Sequence, residues 1–283
     1  MPLVKVSDIL HKADQEGYAV TAFDCFNYET INLVIETAKE LKTPTIVMVY
    51  PEMTEYIPVE TFAAITKTLA EKSPYPVGLM LDHGASFDLA MRCLRAGFTS
   101  LMVDFSSLDF EENVAQTKRV VDAAHAMGVD VEAELGHVGD ASKLEDFADD
   151  SGYTDPDLAK EFVERTGCDV LAIAFGSAHG NYVREPKLDM DRLKAVKAKV
   201  SIPVVLHGGT GIPDSQIKES VKLGIRKLNV GTGYDQTIYF AMKENLENGS
   251  VDPYIFTALE STFPAAKEFL KKKIELTRYP DQA

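Results

Sequence analysis

The sequence predicts a (β/α)8 barrel with a C-terminal helical extension. Three observations support this: eight short apolar runs rich in β-branched residues, helical periodicity between them, and glycines at the joints. The first run, Ala19–Phe23, leads into a segment where Ile31, Val34, Ile35, Ala38 and Leu41 share one helical face. Thr45–Val49, Val77–Leu81 and Ser100–Val103 read as the second, third and fourth strands, and Gly97 closes the helical stretch before the fourth. Val114, Thr117, Val121, Ala124 and Met127 mark the next helix, Gly128 ends it, and Asp130–Ala133 is the fifth strand. Gly167 precedes the sixth, Val170–Ala174; Pro203–Leu206 is the seventh; Gly224 precedes the eighth, Lys227–Val230. These glycines stand where a left-handed C-terminal helix cap favours them. Continuous apolar strands are usually buried on both faces, so their alternation with helices implies a parallel sheet. Eight such units in 283 residues suit a closed barrel better than an open sheet. After Gly233 the pattern is helical through Tyr239 and Met242, breaks at Pro253, and resumes around Phe263–Ile274. The expected organisation is a single (β/α)8 domain over 1–283, with 250–283 as its C-terminal helical extension, serving packing or oligomerisation.

The net charge of -15 opposes general attraction to nucleic acid or anionic membranes, so neither is an expected partner. A small phosphorylated ligand remains compatible with that charge if a local cation or a nest of backbone N–H groups offsets it. Three widely spaced cysteines, Cys25, Cys93 and Cys168, suit neither a disulfide framework nor a cysteine zinc site. A reducing, cytoplasmic compartment is expected. The N-terminal segment carries acidic residues where a signal peptide needs an apolar run, and no apolar stretch approaches membrane-spanning length.

Three of the six histidines follow predicted strands: His83 in LMLDHG, His179 in IAFGSAHG and His207 in VVLHGG. A barrel brings strand ends to one rim, where three imidazoles with an open fourth position form a recurrent catalytic zinc site. A single such histidine is as well read as a satisfied loop residue; three at equivalent strand ends favour metal. His11 and His125 read as structural or solvent-facing, and His137 is left open. Asp82, Asp104 and Glu134 share the rim, and acidic residues at the ends of apolar strands are costly to desolvate unless they meet a cation or do chemistry. Helix capping is the competing reading, strongest for Asp104 before Ser106 and Ser107. HGGTG at His207–Gly211 and NVGTG at Asn229–Gly233 then end neighbouring strands, the recurring phosphate position of this fold, with Thr210 and Thr232 as hydroxyl donors.

From AFDCFNYETINLVIETAKELKTPTIV through LDHG, LMVDFSS, VEAELG, GSAHGNY and LHGGTGIP to KLNVGTG, the chain resembles the class II, zinc-dependent fructose- and tagatose-bisphosphate aldolases. The resemblance covers most of the chain, with the motifs in family order. It implies a metal-dependent ketose-phosphate aldolase of carbohydrate metabolism and glycolysis: a lyase that cleaves a ketose 1,6-bisphosphate or ketose 1-phosphate reversibly to dihydroxyacetone phosphate and an aldehyde. It carries catalytic Zn2+ over to His83, His179 and His207, secondary metal positions to Asp104 and Glu134, and proton transfer at the substrate C4 hydroxyl to Asp82. Gly180, Gly208, Gly209, Thr210, Asn229, Gly231 and Thr232 correspond to substrate- and phosphate-binding positions, with a monovalent cation such as Na+ or K+ nearby. A homodimer or homotetramer is implied. Zinc as a Lewis acid on the substrate ketone, with a carboxylate base at C4, is chemistry these residue types can supply.

Some positions depart from the family. Asp24 stands where Asn is usual, Tyr50 near the place of a small hydroxyl residue, and Arg184 in place of a lysine. Gly231 lacks the side chain that commonly distinguishes sugars. In the loop 140–155, Asp140 and Glu145 are the candidates for the carboxylate that exchanges the dihydroxyacetone phosphate proton. Two other readings are a barrel metal hydrolase, which usually carries an HxH pair that AFDCF lacks, and a non-catalytic metal- and phosphate-binding relative, which retention of Asp82 with all three histidines disfavours.

Overall fold

The computed structural model describes residues 3–143 and 152–278. Eight strands close into a parallel barrel: β1 (Val20–Asp24), β2 (Thr45–Val49), β3 (Val77–Gly84), β4 (Ser100–Val103), β5 (Asp130–Leu135), β6 (Val170–Ile173), β7 (Val204–Leu206) and β8 (Ile225–Val230). Each strand pairs with its neighbours in sequence, and β8 returns to β1 with Lys227 opposite Val20 and Val230 opposite Phe23. All eight expected strands are present. β3 and β5 run on into the rim, and β8 starts two residues before its expected first residue. Gly97, Gly128, Gly167 and Gly224 all have positive φ, as helix-terminating glycines do.

The core has two parts, because alternate strand residues face opposite sides. Outward residues such as Phe23, Val47, Leu79, Leu101 and Val131 pack under the helices. Inward residues Val20, Ala22, Ile46, Met48, Met80, Met102, Val170, Ala172 and Val205 fill the barrel. A helix not anticipated from the sequence, Val6–Glu16, adds Val6, Ile9, Leu10 and Ala13 to that interior and closes the floor. Its first amides donate to Ser100 Oγ (2.8 Å) and the Asp130 carboxylate at the beginnings of β4 and β5, satisfying helix N–H groups that have no partner within the helix.

The segment after β8 forms helices Thr232–Glu247, Ile255–Glu260 and Phe263–Arg278, matching the expected break near Pro253. The last helix lies against Tyr28–Glu40 and β1, where Thr277 accepts from Ala19 N–H (3.1 Å). No helix among the described residues is long and apolar enough to cross a membrane.

Candidate active site

The alternation that buries Met80, Met102 and Val205 brings Asp82, Asp104 and His207 inward two residues later, at the C-terminal rim. His83 directly follows Asp82, so regular alternation would turn it outward. A register irregularity between Leu81 and Gly84 and a positive φ of 46° at His83 re-aim it, letting both neighbours serve one site. Such a backbone is uncommon for histidine and is the kind of local strain found at functional sites.

The three imidazoles converge: the His83 ring centroid is 4.6 Å from both His179 and His207. Each ring has a partner on its far side. His83 Nδ1 meets Asp104 Oδ2 at 2.9 Å, His179 is hydrogen-bonded to the Val138 backbone, and His207 Nε2 meets Glu132 Oε1 at 2.8 Å. His83 Nε2 and His207 Nδ1 lie 2.8 Å apart, and His179 Nε2 is buried without a partner. Donor atoms of His83, Asp104 and Glu134 form a second cluster of metal-binding spacing, where Glu134 Oε2 is buried without a hydrogen-bond partner, 3.9 Å from His83 Nδ1. Converging nitrogens with outer partners fit a metal ion in both chemistry and orientation.

Electrostatics agree with that reading. Burial opposes a proton on His83, but Asp82, Asp104 and Glu134 outweigh it and raise the pKa to about 10. Burial and the His83 charge push His179 down to about 4 and lower His207 well below the ordinary histidine value. Glu134 is raised to about 8 by burial and the charge of Asp104. Asp104 is held well below the usual carboxylate range, its burial being outweighed by the hydrogen bond and charge of His83. These shifts favour the protonated form of His83 and the neutral forms of His179 and His207, with His83 Nε2 facing His207 Nδ1.

Glu132 and Lys227 were absent from the expected site. Both side chains are fully buried inside the barrel and paired, Lys227 Nζ donating to Glu132 Oε2. Lys227 supplies the countercharge that lets Glu132 stay beneath His207. Their signal is visible in retrospect: charged residues two before Glu134 and Asn229 share the inward strand face.

Asp82, His83, His179, Gly180, Gly208, Gly209, Thr210, Asn229, Gly231 and Thr232 all line one cavity of about 940 Å³. Asp104 and Glu134 lie behind His83, outside that lining. Asn229 Nδ2 donates to Asp82 Oδ1 at 3.0 Å and fixes the carboxylate's direction. Gly208 has φ +68°, and a Cβ there would fall 2.2 Å from the Ala178 carbonyl oxygen, so glycine allows the loops after β6 and β7 to touch. Tyr182 spans the same contact, accepting from Ala178 N–H and donating to the Gly208 carbonyl. The Gly209 N–H is spent on the Asn229 carbonyl at 3.0 Å. Thr210 Oγ accepts from Gly233 N–H, which turns its own hydroxyl hydrogen to other acceptors. The helix Thr232–Glu247 begins at this wall, and its N-terminus favours an anion.

Asp24 and Tyr50 also line the cavity, as does Asp140, while Glu145 lies outside the described residues. Burial first, then the charge of Asp82, raises Asp24 well above the usual carboxylate range. Arg184 and His137 are exposed. His125 bonds Asp169 (2.8 Å), the carboxylate that also accepts from Val131 N–H, so its role is structural.

Comparison with known proteins agrees with this geometry. The family model described as "Fructose-bisphosphate aldolase class-II" matches residues 4–282, and the chain belongs to that family. It is therefore an aldolase-type enzyme, a lyase on a TIM barrel. A "Probable fructose-bisphosphate aldolase" of Bacillus subtilis (strain 168) is 43% identical over 249 residues, covering 87% of each chain. YdjI of Escherichia coli (strain K12) is 41% identical over 264 residues, covering 93% of each. The crystal structure of the YdjI aldolase superposes with TM-score 0.88 and 37% identity over 99% of both chains. The fructose-bisphosphate aldolase of Campylobacter jejuni shares the fold, with TM-score 0.81, 23% identity, and coverage of 98% of this chain and 96% of that one.

Proposed function

We propose that the protein is a zinc-dependent ketose-phosphate aldolase, cleaving its substrate reversibly to dihydroxyacetone phosphate and an aldehyde. One observation carries the reading: three imidazoles converge beside Asp82 in a cavity whose other wall is built from the loops after β6, β7 and β8. His83, His179 and His207 would hold the ion, with Asp104 and Glu134 as the neighbouring position. When bound, zinc supplies Lewis-acid polarisation of the substrate ketone. The protein does the rest. Asp82, oriented by Asn229, takes the proton from the C4 hydroxyl as the C3–C4 bond breaks. Thr210, Thr232 and the start of the helix Thr232–Glu247 grip the C1 phosphate, Gly180 and Gly208 let backbone approach it, and a monovalent cation at the same loops would balance its charge. Asp140, which lines the cavity, would exchange the proton at C3, with Glu145 the other candidate from the sequence.

Purified, zinc-loaded protein is incubated with dihydroxyacetone phosphate in heavy water, and loss of the C3 proton signal is followed by NMR. Exchange that stops with a chelator and returns with zinc supports the proposal; no exchange despite bound zinc removes it. The same reading includes a cytoplasmic homodimer or homotetramer. Tyr239, Phe240, Tyr254, Ile255 and Phe256, each more than half exposed on the C-terminal helices, support such a contact surface.

A further inference from the structure

On the reading above, we propose that the aldehyde half of the substrate bears no second phosphate: the site takes a ketose 1-phosphate ending in a hydroxylated, unphosphorylated carbon chain, and Asp24 sets that preference.

Barrel order gives the direction of the substrate. The C1 phosphate is assigned to the loops after β6, β7 and β8, and the C4 hydroxyl to Asp82 at the end of β3. Strands β1 and β2 lie between β8 and β3, so carbons beyond C4 run toward the wall they carry. That wall is Asp24, Tyr50, Glu52 and Tyr56, with Asp235 beside it. Glu52 and Asp235 are near enough for their charges to act on the Tyr50 phenol.

The donor and acceptor inventory selects the ligand. Asp24 Oδ1 is a buried oxygen without a partner, and so is Oδ1 of Asn229, a residue only 5% exposed. Sugar hydroxyls can both donate to and accept from such groups, whereas a phosphate dianion only accepts. A phosphate here would also meet Glu52 and Asp235 as like charges, and among the described residues no Lys or Arg lines the cavity. Asp24 is fitted to its place. A Cβ on Gly231 would fall 2.6 Å from Asp24 Oδ2, so the carboxyl fills the space that a side chain at 231 would need. The departures at 24 and 231 are therefore one arrangement.

The test uses the zinc-loaded full chain with dihydroxyacetone phosphate and two sets of aldehydes. Glycolaldehyde, glyceraldehyde and erythrose form the first set, and their terminal phosphate esters the second. The expected result is a kcat/KM at least about tenfold higher for the unphosphorylated member of each pair. Asp24→Asn should move that ratio toward the esters by about tenfold, and Tyr50→Ser, on the same wall, should move it the same way if the first variant does not fold. Proton exchange at C3 separates the two failures. Exchange combined with equal or better use of the esters, or with no use of the unphosphorylated set, overturns this inference and leaves the aldolase reading standing. Absence of exchange with zinc bound removes both. A ratio unmoved in the folded variants removes Asp24 as the discriminator.

Discussion

The rim has two unlike sides. Around β3, β6 and β7, each imidazole is braced from behind by Asp104, the Val138 backbone or Glu132, and its free nitrogen faces the others. Around β1 and β2, acidic and phenolic side chains face the cavity, and Asp24 Oδ1 has no partner at all. A metal site needs fixed donor geometry, so its supports are built into the barrel interior. A specificity wall is completed by its ligand, so its polar groups wait for one. Asp24, Tyr50 and Gly231, the departures read from the sequence, all line the cavity on or next to the second side, the arrangement expected if the chemistry is shared and the aldehyde differs.

The largest effect should separate the two halves of the reaction. Asp82→Asn should lower the rate of cleavage by about 10²- to 10⁴-fold while bound zinc stays stoichiometric, because general-base catalysis is lost and no imidazole is. Exchange of the dihydroxyacetone phosphate C3 proton does not involve C4, so it should survive. Loss of exchange along with cleavage would move Asp82 from proton transfer at C4 to support of the metal side.

A smaller effect tests the brace itself. Glu132→Gln should weaken zinc affinity by about 10- to 100-fold, the usual cost of losing an outer-shell partner. It also leaves Lys227 buried without a countercharge, costing about 3–5 kcal/mol of stability. Adding Lys227→Met removes the stranded charge, so thermal denaturation of the double variant should recover much of that loss. Zinc affinity should not recover. If both recover together, the pair matters to folding and not to the orientation of His207.

Much of this was legible in the sequence because two periodicities differ so plainly: apolar strand runs, helical stripes between them and terminating glycines fixed all eight strands. The helix Val6–Glu16 was missed because its apolar residues fill the barrel floor, and nothing local announces a floor. At the site, the histidines, Asp82 and the glycine loops stood out by position after a strand. Glu132 and Lys227 did not, since each resembles an ordinary charged residue until strand pairing sets them in the same interior layer. The backbone pairing of Gly209 was hidden for a similar reason. Glycine there reads as an open anion-binding amide, whereas the Asn229 carbonyl already occupies its N–H.

The subtlest prediction concerns the braced side before metal arrives. With its pKa near 10, His83 is protonated at neutral pH in the metal-free protein, and its Nε2 proton points at the nitrogen that would share the ion. Zinc must displace that proton, since a metal ligand nitrogen needs its lone pair. Apparent affinity should therefore rise with pH by about tenfold per unit for one proton released, and level off as pH passes the His83 value. Glu134, raised to about 8, adds a second proton if it also ligates, steepening the slope below that pH. Calorimetric titrations of zinc into metal-free protein, repeated in buffers of different ionisation enthalpy, count the protons directly. A count of zero at pH 7 would mean that His83 is already neutral, and that Asp104 accepts from its neutral Nδ1–H tautomer instead of pairing with an imidazolium.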